Sequence, residues 1–311
     1  MHKEKEPEKP AGDDSPTPSP DWSLTRAIRH YAETVSITKK GEKQELKRFN
    51  LWHEREIAST KISAITPRQI QDHIEARQKA GRANNTIRND VLLLSAVFNH
   101  ARRLPRIGET PAPWGLTGIV NPVDSCTLPP PPSNRHRRLA EAEGETESEE
   151  ARMLAELAKG KYGPKMLAIV VLAIETGMRQ SEILDIRANQ IKRANGTTMI
   201  VRPDSKNGHA RNVVLSKRAT ALVDELRKDR KGTEYLILMG AEQVDSQWRS
   251  AREKTGITDL HFHDLRHEAL SRMASKGLNL GELKAQSGHR TTAILANYLN
   301  ALPSDVAKKL D

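Results

Sequence analysis

Four short segments hold side chains that could act together on a phosphate. In HFHDLRHEALSRMASKG, His263 and Arg266 stand three residues apart beside the apolar stripe Leu265, Ala269 and Met273, so an imidazole and a guanidinium reach toward one point. An isolated pair of this kind more often marks a solvated helix face with a capping histidine. In TGMRQSEIL, an apolar helix breaks at Gly177 and delivers Arg179 just before the next helix, where it can enter a cleft. Glu182, three residues on, either holds Arg179 or begins the new helix as a carboxylate favoured by the helix dipole. Lys206 sits in the turn-prone stretch Asp204-Ser205-Lys206-Asn207-Gly208, which carries a long cation away from its flanking strands. In SGHRTTAILANYLN, His289 follows Gly288, and Tyr298 lies nine residues later on a helix whose Ala293, Leu295 and Leu299 supply apolar contacts. Each segment alone has an ordinary structural explanation. Two arginines, two histidines, a lysine and a tyrosine in one chain offer a cationic clamp, proton carriers and a nucleophile.

These groups must be positioned by a mainly helical chain. Proline clusters mark residues 1–20 as a disordered tail and 105–134 as a linker, ending in Pro129-Pro130-Pro131-Pro132. Between them, residues 21–104 read as four helices. The first is capped by Ser23 and carries Leu24, Ile28, Tyr31 and Val35. The second carries Leu46, Phe49 and Trp52, and the third starts at Thr66-Pro67 and buries Ile70 and Ile74. The fourth spaces Ile87, Val91, Leu94 and Phe98 for one face. Phe49, Trp52 and Phe98 are read as core residues rather than platforms for bases. Residues 135–311 read as helices over about 166–175, 181–186, 219–228, 264–275, 280–286, 292–299 and 305–310. One hairpin joins Thr198–Val201 to Asn212–Leu215 around Asn207-Gly208. The expected fold class is mainly α with a small β-sheet, α+β.

The ordered motifs closely resemble the tyrosine recombinases, the phage-integrase family, over about residues 21–310. TGMRQSEIL resembles that family's first arginine box, DSKNGHARNVVL its β-hairpin lysine, HFHDLRHEA its His-x-x-Arg box, and SGHRTTAILANYL its histidine and nucleophilic tyrosine. TVSITKKG, HFHDLRHEA and SGHR are similar to plasmid shufflon-type invertases within it. The resemblance implies that residues 21–104 are a SAM-like core-binding DNA-binding domain and residues 135–311 the catalytic domain. It implies a site-specific DNA recombinase working through a 3′-phosphotyrosine, in DNA integration, excision or inversion on a mobile element. Tyr298 would be the nucleophile, His263 the base, Arg179 and Arg266 the clamp on the non-bridging oxygens, His289 a further donor and Lys206 the acid for the 5′-oxygen, with Glu182 in support. The implied partners are double-stranded DNA bearing recombination sites, a homotetramer in synapsis from a monomer when free, and DNA-bending accessory proteins. The final helix, residues 304–310, would dock on a neighbouring protomer through Val306, Ala307 and Leu310. One departure is Ser287, where the family more often has leucine before Gly-His, with little expected effect on mechanism.

No cofactor and no metal are expected. A rival metal site from His261, His263, His267 and His289 lacks carboxylates except Asp264 and Glu268, which point away from His263 on a helix. A topoisomerase IB-like relaxing enzyme and a non-catalytic DNA-binding regulator are the alternative functions.

Composition agrees. The net charge of +10 hides a sharper imbalance, because residues 1–20 and 139–150, both read as unfolded, carry −8 between them and leave +18 on the other 279 residues. A body that basic suits a polyanion. The longest apolar run, Met166 to Ile174, is too short to span a membrane, and MHKEKEPEKP is no secretory signal. With Cys126 the only cysteine, the expected setting is a reducing bacterial cytoplasm, with the protein on the nucleoid when bound to DNA.

Overall fold

A computed structural model describes residues 17–132, 135, 137–142, 147–203, 210–289 and 291–296. The chain divides into two compact units, Met1–Asn134 and Arg135–Asp311.

The first unit is built on four helices, α1 Leu24–Thr34, α2 Glu42–His53, α3 Pro67–Lys79 and α4 Asn84–Arg102. Their starts follow local chemistry. Ser23 accepts a hydrogen bond from the Arg26 N–H, and Thr66 with Gln69 forms a reciprocal capping box ahead of Pro67. Phe49, Trp52 and Phe98 are buried with Leu24, Ile28, Ile70, Ile74, Ile87 and Leu94, as their spacing requires. Leu46, by contrast, is exposed. Within this core, Arg77 donates to buried Asp90 at 2.9 Å.

Part of the stretch read as linker belongs to this unit. Ile119 and Val123 are buried in its core, and Trp114, Leu116, Cys126 and Leu128 pack against it. Asn121 caps the short turn Pro122–Ser125 and donates to Ser95 at 2.8 Å. Proline removes backbone donors but leaves apolar side chains free to be buried, which composition alone does not reveal. Pro20, assigned to the tail, likewise accepts a backbone hydrogen bond from Ser63.

The second unit contains α5 Glu149–Ala158, α6 Gly163–Thr176, α7 Gln180–Leu184, β1 Ile191–Ala194, β2 Thr197–Arg202, β3 Arg211–Val214, α8 Lys217–Arg227, α9 Ala241–Thr255, α10 Asp264–Ser275, α11 Leu280–Ser287 and α12 Ala293–Ala296. The class is α+β, as expected, with α6 apolar around most of its surface at the centre. The sheet is antiparallel in the order β1-β2-β3, and Ile200 faces Val213 across the expected β2–β3 pair. The added strand β1 comes from a second Asn-Gly, Asn195-Gly196, whose φ values of 50° and 72° make the mirror-image turn that suits hairpin twist.

Two further expectations are corrected. The acidic stretch 139–150 is not wholly unfolded: Leu139 is buried, and Ser148 caps α5 with Glu149 and Glu150 in its first turn. Those carboxylates face the positive end of the helix dipole and pair with Arg137, Arg218 and Arg272. Helix α9 lies between the expected helices 219–228 and 264–275, where none was expected, because it is mostly polar and buries only Val244, Trp248 and Ala251, with the Trp248 indole N–H donated to the Leu260 carbonyl. The expected helices 292–299 and 305–310 lie outside the described residues except for α12, whose Leu295 is buried with Leu270 and Leu283. Among the described residues, no helix is long and apolar enough to cross a membrane.

Candidate active site

The site forms where α6 stops. Gly177 ends that helix at φ +66°, and a Cβ there would touch Ala269 and Leu270 of α10 at 3.6 Å. A left-handed turn made close against a neighbour favours glycine. The turn hands the chain to Arg179, at the N-cap of α7, whose backbone N–H and guanidinium both donate to Glu182, at 2.9 and 3.1 Å.

Glu182 is 3% exposed and does more than hold Arg179. It also receives a two-pronged hydrogen bond from Arg211 at 3.1 and 2.8 Å. Burial alone would raise its pKa, but the donors from Arg211 and the Arg179 backbone hold the carboxyl down to about 2. Arg211 continues to the Gln286 carbonyl. Gln286 in turn accepts from the Val214 N–H and donates to the Val214 and Thr176 carbonyls, joining α11, β3 and the end of α6.

Arg266 lies on α10 and is 3% exposed. Its guanidinium donates to the Gly177 carbonyl and, at 2.8 Å, to the Ser287 carbonyl, and reaches His289 at 3.3 Å. One side chain therefore ties the ends of α6 and α11 to α10. His263 is the residue immediately before α10 and meets His267 edge to face at 5.4 Å. Burial lowers the His263 pKa, and His267, Arg266 and Arg179 lower it further. His289 is pushed down to about 4 by burial and then by Arg266 and Arg179. Both imidazoles are thus neutral near pH 7, chiefly through burial, and the smaller share owed to Arg266 and Arg179 reflects two guanidinium charges close to both rings.

The structure therefore brings together Arg179, Glu182, His263, Arg266 and His289 of the expected set. Lys206 and Tyr298 lie outside the described residues, although the flanks of each are placed: β2 ends at Arg202 and β3 begins at Arg211, while Leu295 is anchored in α12. His261 donates its backbone N–H to Asp264, and both carboxylates of the rival metal reading are engaged by guanidiniums, Asp264 by Arg135 and Glu268 by Arg138 and Arg272. Sequence reasoning missed Arg211 and Gln286. Neither carries a local signal, because a buried polar residue in a helix or strand looks like a surface one until its partners are known.

Residues 146–304 match the model of the phage integrase family, just over half of the chain. A shufflon-specific DNA recombinase of Escherichia coli is 36% identical over 297 residues, covering 93% of this chain and 72% of that protein. The chain belongs to the phage integrase family. All six expected catalytic positions fall inside the matched range. A second family relative, an integrase/recombinase of Haemophilus influenzae, is 27% identical and covers 94% of this chain and 91% of its own length. In fold, the chain is similar to the Tn1549 transposon integrase solved with circular intermediate DNA, at a TM-score of 0.65 and 17% identity over 93% of this chain and 99% of that one. A lambda integrase dimer bound to a core site gives 0.65 and 16%, covering 89% and 95%. Within this family the chain is a tyrosine-type site-specific recombinase, and none of these relatives is named as a topoisomerase or a regulator.

Proposed function

We propose that this recombinase breaks one DNA strand by attack of the Tyr298 phenolic oxygen on phosphorus, forming a 3′-phosphotyrosine and releasing a 5′-hydroxyl. The observation that carries the reading is the gathering of Arg179, His263, Arg266 and His289 where α6, α7, α10 and α11 meet, with Arg266 3.3 Å from His289 and both guanidiniums acting on both imidazoles. A phenol is a weak nucleophile near pH 7, and neutral His263 is fit to accept its proton. Arg179 and Arg266 offer planar fixed donors to the charge that grows on the non-bridging oxygens, with His289 as a third. Lys206 gives a proton to the departing 5′-oxygen. The new ester keeps the energy of the bond it replaces, so the reverse attack by a 5′-hydroxyl rejoins strands with no nucleotide consumed.

The partner is double-stranded DNA, and complete exchange uses four protomers on two sites, assembled from free monomers with DNA-bending proteins assisting. The test is trapping of a covalent protein–DNA adduct on nicked suicide DNA in EDTA. Wild type forms the adduct and Tyr298→Phe does not. An adduct surviving in Tyr298→Phe would assign a different nucleophile, and loss of the wild-type adduct in EDTA would require a metal.

A further inference from the structure

Ser287 closes α11 and is fully buried. Its hydroxyl oxygen stands 2.7 Å from His289 Nδ1, and among the described residues that nitrogen is its only hydrogen-bond partner. The contact depends on the turn between them. Gly288 caps α11 at φ +69° and folds the chain back, so the side chain two residues on returns beside the serine. A Cβ at Gly288 would come 2.8 Å from Arg211 Nη1, so the turn is held against Arg211, itself fixed by Glu182.

A neutral imidazole has one N–H and one lone pair, and the group bonded to one nitrogen decides what the other presents. Arg266 does not decide it, because its Nη2 is nearly equidistant from both ring nitrogens, at 3.3 and 3.4 Å. Ser287 touches Nδ1 alone.

We infer that Ser287 is a positioning residue for His289: its hydroxyl donates to Nδ1 and thereby keeps the ring proton on Nε2, aimed at a non-bridging oxygen of the scissile phosphate. The opposite arrangement fails on two counts. If Nδ1–H were donated to the serine, Nε2 would turn a lone pair toward an anionic oxygen, and the buried hydroxyl hydrogen would have no acceptor among the described residues. The burial and guanidinium charge that hold His289 neutral are what make the tautomer matter, since a doubly protonated ring would donate from both nitrogens. The inference rests on the phosphodiester reading above, and it revises the expectation that a serine in this position is of little consequence.

The test combines a spectrum with a mutant cycle. In long-range ¹H–¹⁵N spectra of the full chain, with the His289 signals assigned by their loss in His289→Ala, wild type shows an unprotonated Nδ1 and a protonated Nε2. Ser287→Ala slows adduct formation on suicide DNA on the order of ten-fold at unchanged DNA affinity, as when an outer partner orienting a functional histidine is removed. Added to His289→Ala, the same change costs nothing more. A proton on Nδ1 in wild type overturns the inference even if the variant fails to fold, and so does an equal cost of Ser287→Ala with and without His289. Wild-type cleavage by His289→Ala would instead remove His289 from the phosphate site and sink the underlying reading.

Discussion

Arg179 and Arg266 carry the same charge in different surroundings, and the difference separates two kinds of loss. The Arg179 side chain is 21% exposed and, among the described residues, bonded only to its neighbour Glu182, so Arg179→Ala should lower cleavage by about 10² to 10³ with the melting temperature nearly unchanged. Arg266→Ala should show the same kinetic loss and also melt earlier, because each buried carbonyl left without its donor costs about 1–3 kcal/mol. Single-turnover cleavage measured beside thermal melts checks both. Removing the charge at Glu182 should be worse for stability: Glu182→Gln leaves Arg211 buried without a counter-charge, at about 3–5 kcal/mol by denaturant unfolding. For Lys206, the leaving-group role predicts that Lys206→Ala regains cleavage on DNA with a sulfur-bridged 5′ leaving group, because a thiolate needs no proton. Equal defects on oxygen and sulfur substrates would take that role away.

Glycines separate elements that merely turn from elements that aim a residue. Gly196 sits in an open hairpin turn with nothing within 4 Å of an added Cβ, so Gly196→Ala should cost about 1–2 kcal/mol for its positive φ and leave cleavage intact. Gly288→Ala meets the same backbone penalty and also the Arg211 guanidinium, and it should lose both stability and cleavage rate. The same scale shows what a sequence can disclose. Helices with an apolar face and a local cap, such as α1 and α3, are legible because their signals lie within a few residues, and α4, which begins without a side-chain cap, is legible from its apolar face alone. So are Arg179, Arg266 and the two histidines, because their order along the chain is distinctive. Helices α5 and α9 are less legible because their charged faces pair with distant residues, as Glu150 does with Arg218 and Arg272. Arg211 is one arginine among many until Glu182 and Gly288 are seen around it. The β2–β3 pairing is legible from β-rich runs on either side of Asn207-Gly208, whereas β1 is hidden because Ile191–Ala194 is short and buries only Ile191.

Taken whole, the molecule should be sensitive to acid over a definite window. An unfolded chain takes up protons on histidine near 6.5, while folded His289 resists until about 4, so the unfolded state binds more protons between those values and stability falls as pH drops through them. Glu182 extends the loss downward, from its ordinary 4.5 toward about 2. Above pH 6.5 neither group makes stability depend on pH, and melting temperatures across pH 4 to 8 test the sign. Binding to DNA should weaken linearly with salt on logarithmic axes, as expected for a chain of net charge +10 whose Lys and Arg replace counterions on the phosphates. The tryptophans add an optical consequence. Trp22, Trp52 and Trp114 belong to the first unit, and Trp248 is the single tryptophan of the second, buried with its indole N–H on the Leu260 carbonyl. A variant that keeps only Trp248 would give the second unit its own emission band, shifting to the red when α9 leaves its packing, so unlabelled protein can report which unit opens first.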